Sequence, residues 1–159
     1  MDECVVDANV WSHSQNPSVD VFDDAVQFVT DFGAASVVLC VDEGFSLVEE
    51  ENRSVIGREY LDQLKPGSVA FQLIAALAAS GRVRFVAGKV ARADRDRIRR
   101  LVFKNTRDQH YLRVALNTTT QILVSHDFYD MPESVRSDLR KRPGIDVIDA
   151  RTCCARLAA

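Results

Sequence analysis

No apolar run in this 159-residue sequence approaches the roughly 20 residues that a membrane-spanning helix requires, so no membrane partner is expected. The opening Met1-Asp2-Glu3 lacks the basic leader of a secretory signal, and the expectation is a cytoplasmic protein. Cysteine is sparse: Cys4, Cys40, Cys153 and Cys154 form no C-x-x-C pair, and the first two fall inside apolar runs. That argues against a disulfide framework or a thiolate zinc site. With 7 glycines and 4 prolines there is no low-complexity tract, internal repeat or linker. What remains is an ordinary globular composition, 47% hydrophobic and 27% charged, long enough for a single domain over residues 1–159 with one sizeable core.

The net charge of −3 conceals a strong asymmetry. Residues 1–81 hold 14 acids and 3 bases, whereas residues 82–107 hold 10 bases and 2 acids. One basic segment in an acidic chain suits a localised polyanion contact. Arg92, Arg95 and Arg99 share a helical face, with Arg100 and Lys104 following. The same pattern also suits a solvated helix face.

Strand and helix signals alternate along the chain. Cys4-Val5-Val6 reads as a buried strand. Asn16-Pro17 supplies a helix start, and an apolar period runs from Val21 to Phe32, with Gly33 as its stop. Ser36 to Val41 is a β-branched strand, and a helix through Leu47, Val48 and Val55 is expected to carry Glu49-Glu50-Glu51. Ser68 caps a helix that Gly81 ends, and Val83 to Val86 is a third strand. Asp94 is a helix cap, and Thr106 with Gln109 has capping-box spacing for the next helix. Gln121 to Ser125 and Ile145 to Ile148 are the fourth and fifth strands, with a Pro132-initiated helix between them and a short helix after. The alternation predicts an α/β fold: three layers, α/β/α, around a central, mainly parallel sheet of about five strands.

Four acids stand where strands or helices begin or end: Asp7, Glu50, Asp108 and Asp127. Ligands of such sheets bind at the carboxyl ends of the strands, where Asp7 and Asp127 are expected. Converged carboxylates need a counter-charge, and a hard divalent ion with oxygen ligands provides it. Glu43 competes with Glu50 for the second position, and Asp130 with Asp127 for the last. His13, His110 and His126 read as polar surface or supporting groups, and Trp11 as core or rim.

Three of these motifs carry a resemblance. Val5-Val6-Asp7-Ala8-Asn9 resembles the opening motif of PIN-domain nucleases, Asp108 with the following Leu112 and Ala115 their third, and Leu123-Val124-Ser125-His126-Asp127 their fourth. A helical glutamate between the first and third completes the family's set, here Glu50. The stretch Asp42-Glu43-Gly44 before it is similar to PIN-like proteins with a longer insert there, not to the family's compact toxins. The resemblance covers nearly the whole chain and implies a Mg²⁺- or Mn²⁺-dependent endoribonuclease acting on single-stranded RNA, in a toxin or defence role. By the same resemblance Asp7, Glu50, Asp108 and Asp127 hold the metal, Asn9 and Ser125 orient them, and the products carry 5′-phosphate and 3′-hydroxyl ends. It also implies a homodimer and an inhibitory antitoxin-type partner. Two alternatives stand beside it. One is a catalytically degenerate PIN-like module that binds RNA or protein. The other is a phosphatase or receiver domain, disfavoured because Asn9 occupies the place of the phosphatases' second Asp.

Overall fold

Short apolar runs build the sheet. In the computed structural model, which describes residues 1–159, Glu3–Val6 forms β1 and is buried at every position. β2 (Val38–Asp42), β3 (Val83–Val86), β4 (Ile122–Val124) and β5 (Asp146–Ile148) join it in the order β3-β2-β1-β4-β5. All four pairings are parallel, with Val5 opposite Cys40 on one side and Leu123 on the other. A parallel sheet must be covered on both faces. α2 (Phe22–Ala34), α4 (Val69–Ala79) and α8 (Ala150–Ala158) pack together as one layer. α5 (Arg92–Leu101), α6 (Thr106–Leu116) and α7 (Glu133–Lys141) form the other. α1 (Ala8–His13) and α3 (Val55–Gln63) lie near the carboxyl ends of the strands. This is the three-layer α/β/α arrangement that the alternation of signals predicts.

The strand order reverses between β1 and β4. From β1 the chain steps outward to β2 and β3, then returns across the sheet to β4 on the other side of β1. Loops leaving β1 and β4 therefore diverge to opposite faces and leave a crevice at their carboxyl ends. Asp7 and Asp127 border it.

An aromatic cluster supports that crevice from below. Trp11 is fully buried, with its ring 5.1 Å from Phe28, 5.5 Å from Phe32 and 6.5 Å from Tyr60, centroid to centroid. Burying one such ring is worth about 3 kcal/mol or more. Trp11 is thus core, and it ties α1 to α2 and α3.

Several local expectations shift. α2 begins at Phe22, not at Pro17, because the Asn16 side chain accepts hydrogen bonds from the Ser18 backbone N–H (3.2 Å) and hydroxyl (2.6 Å) and makes a turn. Gly33 lies inside α2, where an added Cβ would come within 3.3 Å of Leu73 on α4. Asn105, not Thr106, caps α6 through the N–H groups of Arg107 and Asp108, and Gln109 bonds back to the Val102 carbonyl instead. Ala91, not Asp94, is the N-cap of α5.

The largest difference lies at residues 43–53, which form turns instead of a helix. Gly44, at φ +80°, begins this excursion. Asn52 organises it: its Oδ1 accepts from Ser46 N–H at 3.1 Å and its Nδ2 donates to the Ser54 carbonyl at 3.0 Å. Gly57, in the first turn of α3, makes room for that side chain, since a Cβ there would sit 2.1 Å from Asn52 Oδ1. Gly57→Ala is therefore expected to lower stability by about 1–3 kcal/mol despite alanine's better helix propensity. Chemical denaturation would check this, and a more stable variant would show that the loop moves aside at no cost.

Candidate active site

Asp7 is set by the backbone before any ligand is considered. Its N–H donates to the Val124 carbonyl at 2.9 Å, which joins the carboxyl ends of β1 and β4. The Tyr60 hydroxyl donates to the Val6 carbonyl at 2.6 Å, and the Ala8 N–H donates to the Tyr111 hydroxyl at 3.3 Å, so the peptides on both sides of Asp7 are held. The side chain caps α1, accepting from Asn9 N–H at 3.2 Å. Ser125 Oγ (2.8 Å) and Asn9 Nδ2 (3.0 Å) both donate to its Oδ2. Asn9 Oδ1 in turn accepts from His126 N–H at 3.1 Å, and Ser125 Oγ from Asp127 N–H at 3.1 Å. Asn9 and Ser125 thus stitch the first acid to the loop that carries the last.

Asp108 lies in the first turn of α6, buried at 5% exposure. Its Oδ2 has no hydrogen-bond donor, which a buried carboxylate oxygen does not tolerate without cost. Carboxylate oxygens of Asp108, Asp127 and Asp130 lie within 4.8 Å of one another. Asp127 is held in place by a side-chain turn, its Oδ1 accepting from Tyr129 N–H (3.2 Å) and Asp130 N–H (2.8 Å). Buried Arg136 locks the same loop, donating to the carbonyls of Met131 (2.6 Å), Asp127 (3.2 Å) and Ser125 (3.3 Å). Nothing in the sequence marks Arg136 for this task, because its partners are backbone atoms brought together by the fold.

The structure places neither second-acid candidate on a helix. Glu50 sits in an exposed turn, not on a helix, and its carboxylate makes no hydrogen bond or ion pair; Glu43 is likewise exposed in a turn. Two glutamates are buried, Glu3 on β1 and Glu59 on α3; Arg107 holds Glu59 at 2.9 Å, and the Glu59 charge acts on Asp7. The run Glu49-Glu50-Glu51 offered the obvious acids, but it belongs to the excursion that Asn52 folds. On α3, Glu59 falls one residue before the core residue Tyr60.

Asp42 at the end of β2 is also buried, but it is satisfied. It accepts from the Ser54 hydroxyl, from Val55 N–H (2.8 Å) and Ile56 N–H (3.2 Å), and pairs with His110 Nε2 (2.9 Å). Burial works to raise its carboxyl, but the bonds from His110, Ser54 and Val55 prevail and hold it below the usual range. His110 is therefore a structural partner of the α3 start. His126 is buried against His13, with their Nδ1 atoms 3.0 Å apart and their rings stacked.

The basic segment divides. Arg92, Arg95 and Arg99 gather around Asp96 at 3.7, 4.0 and 3.5 Å, which offsets part of their charge. Arg100 and Lys104, closer in sequence to Asp108, pair with no carboxylate.

Electrostatics single out two of the acids. Burial, against the Ser125 and Asn9 hydrogen bonds and with the charges of Glu59 and Asp127, pushes Asp7 up to about 7. Burial, then the charge of Asp7 and the neighbouring Asp127 and Asp130, pushes Asp108 up to about 8. Both carboxyls hold protons in the fold at pH values where the unfolded chain has lost them. Between pH 6.5 and 8 the folded protein therefore binds more protons, and its stability falls as pH rises. Below that window burial of His126, pushed down to about 4, works in the opposite sense. Without divalent metal, the melting temperature is expected to drop from pH 6.5 to pH 8, by an amount equivalent to about 2 kcal/mol. A flat profile in a calorimetric series would contradict the raised carboxyls.

The Asp108, Asp127 and Asp130 carboxylates can accept a hard cation: oxygen ligands only, within a few ångströms, with Asp108 Oδ2 lacking any hydrogen-bond donor and its carboxyl costly to ionise alone. No protein-family model matches the chain, and no curated protein matches it. No helix is long and apolar enough to cross a membrane.

Proposed function

We propose that this protein is a divalent-metal-dependent endoribonuclease that hydrolyses phosphodiester bonds of single-stranded RNA, as its resemblance to PIN-domain nucleases implies. The observation that carries the reading is the unpartnered Oδ2 of buried Asp108 beside Asp127 and Asp130. Asp108, Asp127 and Asp130 would hold Mg²⁺ or Mn²⁺, with Asp7 and Glu59 completing the acidic wall. Bound there, the ion would supply the positive charge that acidifies an attacking water and stabilises a leaving oxygen. The chain's own part is orientation. Ser125 and Asn9 fix the face of Asp7, Arg107 aims Glu59, and Arg136 keeps the Asp127 loop from opening. Arg100 and Lys104 offer free positive charge to the RNA backbone, so binding is expected to weaken steeply between ~50 and 200 mM salt.

A degenerate module that binds RNA without cutting it is the second reading. Keeping two buried carboxyls at raised pKa gives such a module no benefit, which favours the enzyme. Cleavage of an end-labelled single-stranded RNA with Mn²⁺, Mg²⁺ or EDTA, beside the Asp7→Asn variant, tests the proposal. Metal-dependent cleavage lost in the variant supports it. Binding with no cleavage under any metal would shift the reading to the module.

A further inference from the structure

We propose that Phe103 and Tyr129 form a stacking platform for an unpaired base of single-stranded RNA next to the carboxylate cluster, with Lys104 between them facing the adjoining phosphate. The identity of the polymer rests on the nuclease reading; the platform itself rests on geometry.

Phe103 and Tyr129 are the most exposed aromatic side chains of the chain, at 69% and 83%. Exposing rings so fully forgoes the burial that usually places them in a core. They converge on one cation: the Lys104 ammonium lies over both rings, 5.6 Å from the Phe103 centroid and 5.8 Å from that of Tyr129. Between them opens a groove of about 350 Å³ whose floor includes Val102, Pro132 and Val135.

The groove is continuous with the proposed catalytic centre. Asp130 lines it and also belongs to the carboxylate triad. Tyr129 stands between Asp127 and Asp130, and its N–H donates to Asp127 Oδ1 at 3.2 Å. On the other side, Phe103 and Lys104 lead directly into Asn105, which caps the helix carrying Asp108 and donates to Asp130 at 3.4 Å. The chain itself thus fixes both rings relative to the acids.

The chemistry of the occupant follows. A protein partner would have to bury both Lys104 and Asp130 and compensate each. A nucleotide brings a π-face for the rings and a phosphate for the ammonium, while Asp130 stays with the metal site. Stacking of this kind tolerates every base, so the platform sets strand type and register more than sequence. It would hold the strand beside the acids and exclude duplexes, whose bases are already stacked.

The test is binding of a labelled single-stranded RNA and of an abasic sugar-phosphate strand of equal length and charge, by fluorescence anisotropy at low salt in EDTA. The unaltered protein is expected to prefer the base-bearing strand. Phe103→Ala and Tyr129→Ala should each weaken that binding on the order of tenfold. The double variant should bind both strands alike, with its melting temperature unchanged because both positions are on the surface. Equal affinity of the unaltered protein for both strands, no binding of either, or a preference that survives in the double variant would each overturn the platform. So would a change of oligomeric state in the double variant without loss of base preference, which would make the rings a contact between protein copies. Cleavage assays separate the two ideas. Base preference without metal-dependent cleavage sinks the nuclease and spares the platform, whereas undiminished cleavage by the double variant sinks the platform alone.

Discussion

Asp108→Asn is expected to raise the melting temperature of the metal-free protein while removing the metal-dependent RNA cleavage proposed for it. The two effects share one cause. Asp108 is buried with an unpartnered Oδ2, and burial with the charges of Asp7, Asp127 and Asp130 pushes its carboxyl up to about 8. An amide at this position carries no charge to desolvate, and its Nδ2 can donate toward the neighbouring carboxylates. One pKa unit corresponds to 1.36 kcal/mol, so a group that keeps its proton at pH 7 costs the fold on the order of 2–4 kcal/mol. In a chain of this size that is roughly 5–10 °C in melting temperature. The same amide is a poorer ligand for a hard cation. Since even outer partners of metal ligands are worth about 10–100-fold in activity, cleavage should fall by about 100-fold or more. Adding Mn²⁺ at pH 8 should stabilise the unaltered protein and leave the variant's melting temperature nearly unmoved. A variant less stable than its parent without metal would show that Asp108 supports the fold and is not strained within it.

Glu59→Gln is expected to abolish most cleavage, whereas Glu50→Gln leaves it within about twofold, as exposed substitutions do. Glu59 is buried on α3, its charge acts on Asp7, and Arg107 holds it at 2.9 Å. Glutamine keeps the size and one acceptor for Arg107, so the fold should persist while the charge is lost. The drop should again be about 100-fold, by comparison with other groups that orient metal ligands. Circular dichroism would confirm that both variants are folded. Equal loss in both, or loss only in Glu50→Gln, would return the second acid to the turn at residues 48–51.

These experiments bear on different parts of what sequence can carry. Val5, Val6, Leu123 and Val124 declare buried strands by composition alone; Asp7 follows the first directly and Asp127 comes three residues after the second, so position near a strand end was readable from the sequence. The course of residues 43–53 was not. Glu49-Glu50-Glu51 looks helical by propensity, yet Asn52 and the left-handed Gly44 fold that stretch into turns, and α3 starts only at Val55, capped by Ser54. The competition was between local helix preference and side-chain to backbone hydrogen bonds, and the second won. Asn16 defeated the expected start of α2 in the same way.

By itself, the sequence determined the layered α/β architecture, because hydrophobic periodicity and the alternation of strands and helices are local properties. It also determined that acids would line the carboxyl edge of the sheet. Only the tertiary structure decided which acids meet. The return of the chain across β1 to β4 places Asp7 beside Asp127 and sets α6 and α3 over them. Asp108 enters the cluster through that packing, Glu59 comes close enough for its charge to act on Asp7, and the rings of Phe103 and Tyr129 reach the cluster's margin. Burial, charge proximity and an unpartnered oxygen depend on residues far apart in the chain, and no single segment encodes them.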